Sequence, residues 1–376
     1  MKNRVRTLLI LPVIFIATES FAQEVHPEPK TLPIGSKAPQ FNLPGVDGKN
    51  YSLKDFNGFQ VLVIIFSCNH CPTAQAYEDR IVDLARDYKN KSVAVVMISP
   101  NSLNALNLSE LGYSDMGDSF GEMKIRAADK GFNFPYLYDG DDQKTALAYG
   151  PVATPHCFVF DSSRILRYAG RVDGSEKPGT GKAEDVRNAI DAVMAGKEVS
   201  NPVTKVFGCS VKWSWKDEYT KKLYKQWAEL PVTLDEINEE GIHELLKNPT
   251  DKLRLINVWA TWCGPCVAEF ADFVTIDRMY RGRAFEFITI SADKPDRKAD
   301  VLKFLKSKEA SNKNFIFNKD DVYQLIEAVD KEWQGGIPYT ILVEPGGKII
   351  YKKMDTINPQ ELKKLIVENK YLGRYY

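Results

Sequence analysis

The chain has 376 residues, with 50 Lys+Arg against 50 Asp+Glu, 44% hydrophobic residues, 11% aromatics and six cysteines. Such a composition buries full cores, which sets aside disorder, a collagen-like repeat and a cysteine-stapled miniprotein, and at roughly 150 residues per domain the length predicts two domains. Balanced charge without a long basic block leaves no electrostatic footprint for nucleic acid or an anionic membrane surface.

In chain order, Lys2, Arg4 and Arg6 precede an apolar run from Leu8 to Ala17, and Ser20-Phe21-Ala22 supplies a small-x-small site. This pattern predicts a secretory signal peptide over residues 1–22, because the run is about half of the roughly 20 residues needed to cross a bilayer. Removal takes away three basic residues and Glu19, leaving 47 basic against 49 acidic residues. The expectation is an exported protein, periplasmic or extracytoplasmic, with no stable membrane insertion after cleavage. Such a compartment tolerates disulfides and requires enzymes that manage them. Residues 23–33, rich in Pro, Glu and Lys, read as a mobile lead-in, and no chemistry is assigned to His26.

The first unit spans residues 34–196. Its unbroken apolar segment Val61 to Phe66 predicts a strand buried on both faces, with Cys68 just past its end. Pro72 suits a first helical turn, and Ala74, Tyr77, Ile81, Leu84 and Tyr88 recur at helical spacing. A strand over Val93 to Ile98 follows. Ser119 with Glu122 reads as a capping box opening a helix over Asp118 to Lys130. Phe134 to Tyr138, Thr154 to Phe160 and Ile165 to Ala169 read as strands, with a short helix ending near Gly150 and a closing helix over Lys182 to Ala195.

The order repeats in the second unit, residues 232–376. Strand Leu255 to Trp259 leads to Cys263 and Cys266 and a helix with Val267, Phe270 and Val274 inward; strand Phe285 to Ile290 and a helix over Lys298 to Lys308 follow. Then come strand Asn314 to Phe317, helix Asp320 to Lys331, Ile337-Pro338, strand Tyr339 to Val343, strand Ile349 to Lys352 and a final helix. Two units each with Cys-x-x-Cys after a buried strand and a proline before a late strand argue for internal duplication. The cysteine-to-proline spacing is 87 residues in one and 75 in the other, and the difference fits an insertion near residues 100–117. Between the units, the connector 197–231 carries Cys209, Trp213, Trp215 and Trp227, too aromatic for a free linker and expected to pack against a domain surface.

A cysteine at a helix start is acidified by the helix dipole and free N–H groups, and two intervening residues bring the second thiol within reach. Such a pair attacks a substrate disulfide, forms a mixed disulfide and releases the product when the second thiol attacks the first. Cys263 is assigned as the nucleophile and Cys266, one turn deeper, as the resolving thiol. The redox-active cysteine pairs are the reagent, so no cofactor and no metal are expected. The expected partners are protein disulfide substrates and a thiol-disulfide electron donor.

The segment Trp259-Ala260-Thr261-Trp262-Cys263-Gly264-Pro265-Cys266, with Ile337-Pro338, resembles thioredoxin and specifically the exported TlpA-like reductases, over roughly residues 232–372. The resemblance implies an α/β fold, two thioredoxin-like domains each with a central mixed sheet flanked by helices. It also implies that Pro338, and Pro155 in unit one, are cis, lie beside the dithiol and present backbone to which a substrate pairs as an added strand. It places an acid three positions after the second cysteine, which is Glu269, inferred to relay a proton to or from Cys266. Cytoplasmic thioredoxins carry a buried aspartate six residues before the first cysteine, where this chain has Asn257 and, in unit one, Leu62.

Unit one, through Gly35-Ser36-Lys37-Ala38-Pro39 and the following hairpin, resembles the redoxin branch that includes peroxiredoxins. Its pair is Cys68-Asn69-His70-Cys71, in which His70 is expected to place positive charge near a Cys68 thiolate and make the disulfide more oxidising. Ala74 stands where Glu269 stands in unit two. Peroxiredoxins carry Pro-x-x-x-Thr-x-x-Cys, and counted from Cys71 those positions hold Ile64 and Cys68, while Cys68 has Ile65 at its threonine position. Thiol peroxidase activity and an adaptor role are therefore the alternatives for unit one.

A zinc ribbon wants about 15–20 residues between cysteine pairs, and 191 intervene here. Cys157 and Cys209 read as buried, inert thiols, with a bridge between them left open. His156 follows Pro155, though strand alternation can turn it away from Cys68, and His243 reads as solvated. The reading is an exported thiol-disulfide oxidoreductase, with electrons expected to pass from Cys263/Cys266 to Cys68/Cys71.

Overall fold

The structure is a computed structural model that describes residues 29–375, so the proposed signal segment 1–22 and His26 lie outside the described residues. Unit one is built on a five-stranded sheet in the order Tyr136–Tyr138, Val93–Ser99, Val61–Phe66, His156–Phe160, Leu166–Gly170. The first three strands are parallel and the last two antiparallel to their neighbours. Unit two repeats this order with Lys313–Phe317, Phe285–Ser291, Leu253–Trp259, Tyr339–Val343 and Ile349–Met354, and adds Asp235–Ile237 as a parallel edge strand. In both sheets the register shifts four to five residues after the late proline, between Val159 and Phe160 and between Leu342 and Val343. That shared irregularity is a further landmark of duplication.

Strand alternation explains how each sheet is covered. Val61, Val63 and Ile65 face the helices Pro72–Tyr88 and Glu184–Met194, packing on Tyr77, Ile81, Leu84, Val186 and Ile190. Leu62, Ile64 and Phe66 face the other way, against Tyr149, Phe158, the Asn42–Ser52 hairpin region and, from the connector, Val211 and Trp213. Trp213 stacks on Trp215 at 5.1 Å. The connector thus packs as its aromatic content predicts; it also holds the helix Asp217–Ala228, whose Trp227 lies under the Arg278 guanidinium.

Several elements differ in detail from expectation. The strand expected over Thr154 to Phe160 is broken at Pro155 into Ala153–Thr154 and His156–Phe160, because proline has no N–H for the ladder. The helix Glu239–Lys247 and the edge strand Asp235–Ile237 are additions to the expected order.

Residues near 100–117 form two 3-10 turns, Leu103–Ala105 and Leu108–Leu111, that join the units. Leu106 and Leu111 pack into the unit-two core with Phe273, Ile276 and Tyr280. The Tyr280 hydroxyl donates to the Ser114 carbonyl at 2.8 Å, and the Arg283 guanidinium donates to the Gly112 carbonyl at 2.8 Å while stacking 3.7 Å from the Tyr113 ring. Among the described residues no helix is long and apolar enough to cross a membrane.

Candidate active site

In unit two the strand Leu253–Trp259 delivers the chain to a short loop and then to the helix Gly264–Tyr280, with Pro265 in its first turn. Cys263 is the N-cap residue, and its sulfur accepts the Cys266 N–H at 3.2 Å. Cys263 and Cys266 are joined as a disulfide. The Cys263 sulfur lies 3.7 Å from the Ile337 carbonyl oxygen, directly before Pro338, and the Ile337–Pro338 bond is cis. Thr261 ties the loop down: its N–H and hydroxyl both donate to Asp293, which also accepts the Ser291 hydroxyl at 2.8 Å. Trp262 stands 69% exposed beside the dithiol.

Glu269 lies one turn beyond Cys266, on the same helix face. It is 5% exposed and one oxygen accepts the Ile357 N–H at 2.8 Å, while the other has no hydrogen-bond partner. Burial pushes its pKa up to about 7, against the smaller opposing effect of the Ile357 N–H. A carboxyl poised there can exchange a proton near neutral pH. Asn257, six residues before Cys263, donates to the Thr340 hydroxyl at 3.1 Å.

A raised carboxyl pKa means that the native state holds the proton more tightly than the unfolded chain, so stability falls as pH rises from about 4.5 to about 7. Glu269→Gln is therefore expected to match wild type at pH 5 and to exceed it at pH 8 by up to about 3 kcal/mol, at about 1.4 kcal/mol per unit. Urea denaturation at the two pH values checks this, and an equal difference at both would contradict the assignment.

In unit one the helix begins later relative to the cysteines. Pro72 is its first residue and Cys71, not Cys68, is the N-cap. The thiolate expected at Cys68 therefore falls on Cys71. Burial alone would raise the Cys71 thiol, but hydrogen bonds from Cys209 and Cys68, the charge of His70 and the Ala74 N–H hold it well below the usual range. Burial, the neighbouring Cys71 and the charge of Asp118 push Cys68 well up. The Cys68 sulfur shares a hydrogen bond with the Thr154 hydroxyl at 3.1 Å.

His70 owes its charge to Asp118. Its Nδ1 lies 2.7 Å from Asp118 Oδ2, and although burial lowers the imidazole pKa, the carboxylate outweighs that and raises it. Asp118 is fully buried and accepts four donors: the N–H groups of Asn69 and His70 at 2.9 and 3.1 Å, the imidazole, and the Asn101 amide at 2.7 Å. Cys68, His70 and Asp118 also form the one group among the described residues whose possible metal-ligating atoms lie within 4.8 Å of one another. In this arrangement His70 and Asp118 satisfy each other as an ion pair.

Cys157 and Cys209 are both free thiols, and they sit in different places. Cys157 lies in the helix-facing core, and burial raises its pKa. Cys209, expected to be inert, packs instead against Cys68, Cys71 and Ala74. His156 is neutral: burial lowers its pKa to about 3, its Nδ1 accepts the Val152 N–H at 3.3 Å, and its ring packs 4.5 Å from Phe158. Pro155 is cis, as Pro338 is. Asp118, Thr154, Asp293 and Cys209 are site residues that sequence reasoning missed. Thr154 adjoins the proline that was singled out, whereas Asp118 reads only as the lead into a capping box.

Unit one meets the C-terminal end of the helix Gly264–Tyr280 through Ser114 and Tyr280, while Cys263 caps the opposite end. Seventeen residues at 1.5 Å each separate those ends by roughly 25 Å.

The family described as AhpC/TSA matches residues 34–169, and the family described as Redoxin matches residues 228–366. A Mycobacterium tuberculosis protein whose name assigns it to the peroxiredoxins is 41% identical over 145 residues, 38% of this chain and 80% of that protein. The thiol-disulfide oxidoreductase ResA of Bacillus subtilis is 28% identical over 95 residues, 25% of this chain and 49% of ResA, so the match spans about half of that relative. Among solved structures, an uncharacterized conserved protein from Geobacillus kaustophilus is 36% identical, covering 50% of this chain and 95% of that one, with a TM-score of 0.43.

Proposed function

The chain belongs to the redoxin family through two thioredoxin-like domains in tandem, an AhpC/TSA domain followed by a Redoxin domain, and from that premise we propose that it is a thiol-disulfide oxidoreductase acting on protein disulfides outside the cytoplasm. The observation that carries the reading is the arrangement at Cys263: a dithiol at a helix N-terminus, 3.7 Å from the Ile337 carbonyl oxygen, with Glu269 buried one turn behind it.

Chemically, Cys263 is the thiol at the mouth. The helix N-terminus favours its thiolate, and the Cys266 N–H that it accepts stabilises the same charge. The thiolate attacks a substrate sulfur, the substrate's other sulfur leaves with the electron pair, and a mixed disulfide forms. Cys266, deprotonated by Glu269, then attacks Cys263, releasing the substrate thiol and leaving the Cys263–Cys266 disulfide. A dithiol donor reverses these steps to complete the cycle. The similarity to ResA supports this reaction class, and the charged, apolar and small-residue pattern of residues 1–22 supports export.

The test is dithiothreitol-driven reduction of insulin by the purified protein. Acceleration well above dithiothreitol alone supports the proposal, and a rate equal to it would contradict it. A thiol peroxidase role for unit one has one observation in its favour, the 41% identity to the peroxiredoxin-named relative. Rapid peroxide consumption that Cys71→Ser abolishes would establish that role.

A further inference from the structure

The connector does more than cover an apolar face. Cys209 and Ser210 form a short strand antiparallel to Ala153 and Thr154, with Cys209 directly opposite Thr154. The Cys209 N–H donates to the Cys71 sulfur at 3.3 Å. Farther along, the Lys212 N–H donates to Asn101 at 2.9 Å, its carbonyl accepts from Ser102 and Gln143, and the Ser214 N–H donates to Gln143. Gly208 makes the approach possible: it has φ +130°, and a Cβ there would stand 1.9 Å from the Thr154 carbonyl oxygen.

Three thiols therefore share one pocket, and they differ in access. Cys68 and Cys71 are buried, while Cys209 is only partly so. The edge of Thr154, where an extended chain could pair, is already taken by the connector.

We propose that Cys209 is a third redox thiol of unit one, which takes over the disulfide from Cys68 and Cys71 and carries it to where a second protein can reach it. The proposal rests on reading unit one as a thiol–disulfide site. Starting from a Cys68–Cys71 disulfide, the Cys209 thiolate attacks the Cys71 sulfur. The Cys209–Cys71 bond forms, the Cys68–Cys71 bond breaks, and the electron pair leaves on the Cys68 sulfur, which takes the proton that Cys209 gave up. No oxidant or reductant is consumed. An incoming thiolate of a partner dithiol then attacks Cys209, and Cys71 departs as the thiolate.

Geometry selects the sulfur attacked in the forward step, since the Cys209 backbone lies against Cys71 and the expelled Cys68 is at once protonated; the protonation pattern bears on the attacker and on the return step. In the reduced site the hydrogen bond to the Cys71 thiolate, with burial and the repulsion of that charge, pushes the Cys209 thiol up. Once Cys71 is in a disulfide that charge is gone, and two of those three causes go with it. Cys209 ionises more readily when there is a disulfide to attack. In the return step Cys71 is the best leaving group of the three, because the thiol of lowest pKa leaves fastest.

The experiment is disulfide mapping of the reduced full chain after two equivalents of diamide, one for the Cys263–Cys266 pair and one for unit one, by non-reducing peptide mass spectrometry, in wild type and in Cys68→Ser. The proposal expects a Cys71–Cys209 link as the main species in Cys68→Ser and both Cys68–Cys71 and Cys71–Cys209 links in wild type. In a companion measurement, reduction of the oxidised site by dithiothreitol is expected to slow at least tenfold in Cys209→Ser, whose hydroxyl keeps the shape of the pocket. A Cys68–Cys71 link with Cys209 always free to alkylation would overturn this inference and leave the site reading intact. Absence of any unit-one disulfide after oxidation would overturn both.

Discussion

Cys263→Ser is expected to lower insulin reduction by at least about a thousandfold, whereas Cys68→Ser is expected to leave it within about a factor of three. A thousandfold corresponds to about 4 kcal/mol of lost transition-state stabilisation. The asymmetry follows from access. At Cys263 the segment before Pro338 has no strand paired to it among the described residues, and Trp262 beside it is exposed. At Cys68 the matching segment is paired with Cys209 and Ser210, while Cys263 lies at the far end of a roughly 25 Å helix from the end that meets unit one. Passage of electrons from Cys263/Cys266 to Cys68/Cys71, which the unlike pair sequences suggest, is not needed for insulin reduction at Cys263. Equal losses in the two variants would show that both pairs serve one catalytic cycle.

The second large effect is at Asp118. Asp118→Asn is expected to destabilise unit one by about 3–5 kcal/mol near pH 6, the usual cost of stripping one partner from a buried ion pair. Four donors converge on the carboxylate, two on each oxygen. An amide keeps one oxygen and turns an NH2 toward two of them, so donors face donors. The same change removes the carboxylate that keeps His70 charged, and with it part of what holds Cys71 ionised. The Cys71 alkylation profile should therefore move to higher pH.

The pH dependence of this pair has a definite sign. Asp118 is lowered in the native state, so its contribution is present above the ordinary carboxylate range and is lost as pH falls. His70 is raised, so its contribution is complete below about 6.5 and is lost as pH rises through its native value. The stabilisation is thus fullest between about pH 4 and 6.5. Urea denaturation of wild type and Asp118→Asn across that range checks it, and a difference under about 1 kcal/mol at pH 6 would contradict the account.

What was legible in the sequence was local. The run Val61 to Phe66 and the helical spacing from Ala74 to Tyr88 name their own elements, because apolar periodicity is a property of consecutive residues. Cys263, Cys266 and Glu269 could be picked out because they lie at fixed short offsets within a recognisable pattern, and Pro338, 75 residues after Cys263, because it stands directly before a late strand. Cys71 was misjudged against Cys68 because the start of a helix decides which thiol meets the dipole, and Pro72 sets that start one turn later than Pro265 does. Asp118 lies 48 residues from His70, and Cys209 lies 138 residues from Cys71; only the fold brings them together. The insertion near residues 100–117 was visible as extra length. Its double role, bridging to the helix Gly264–Tyr280 while its neighbour Asp118 charges His70, was not.

One chain carries a thiol site at Cys263 whose flanking segment before Pro338 has no strand paired to it among the described residues, and another at Cys71 whose flanking Thr154 is covered by the connector. The most direct measurement is the rate of iodoacetamide labelling of each cysteine in the fully reduced protein at pH 7, read by peptide mass spectrometry. Cys209, Cys68 and His70 hold the Cys71 thiol low against its burial, so unhindered it would label fastest of all. The expected order is the reverse: Cys263 labelled at least about tenfold faster than Cys68 and Cys71, with Cys209 between them. Labelling of Cys71 as fast as Cys263 would contradict it.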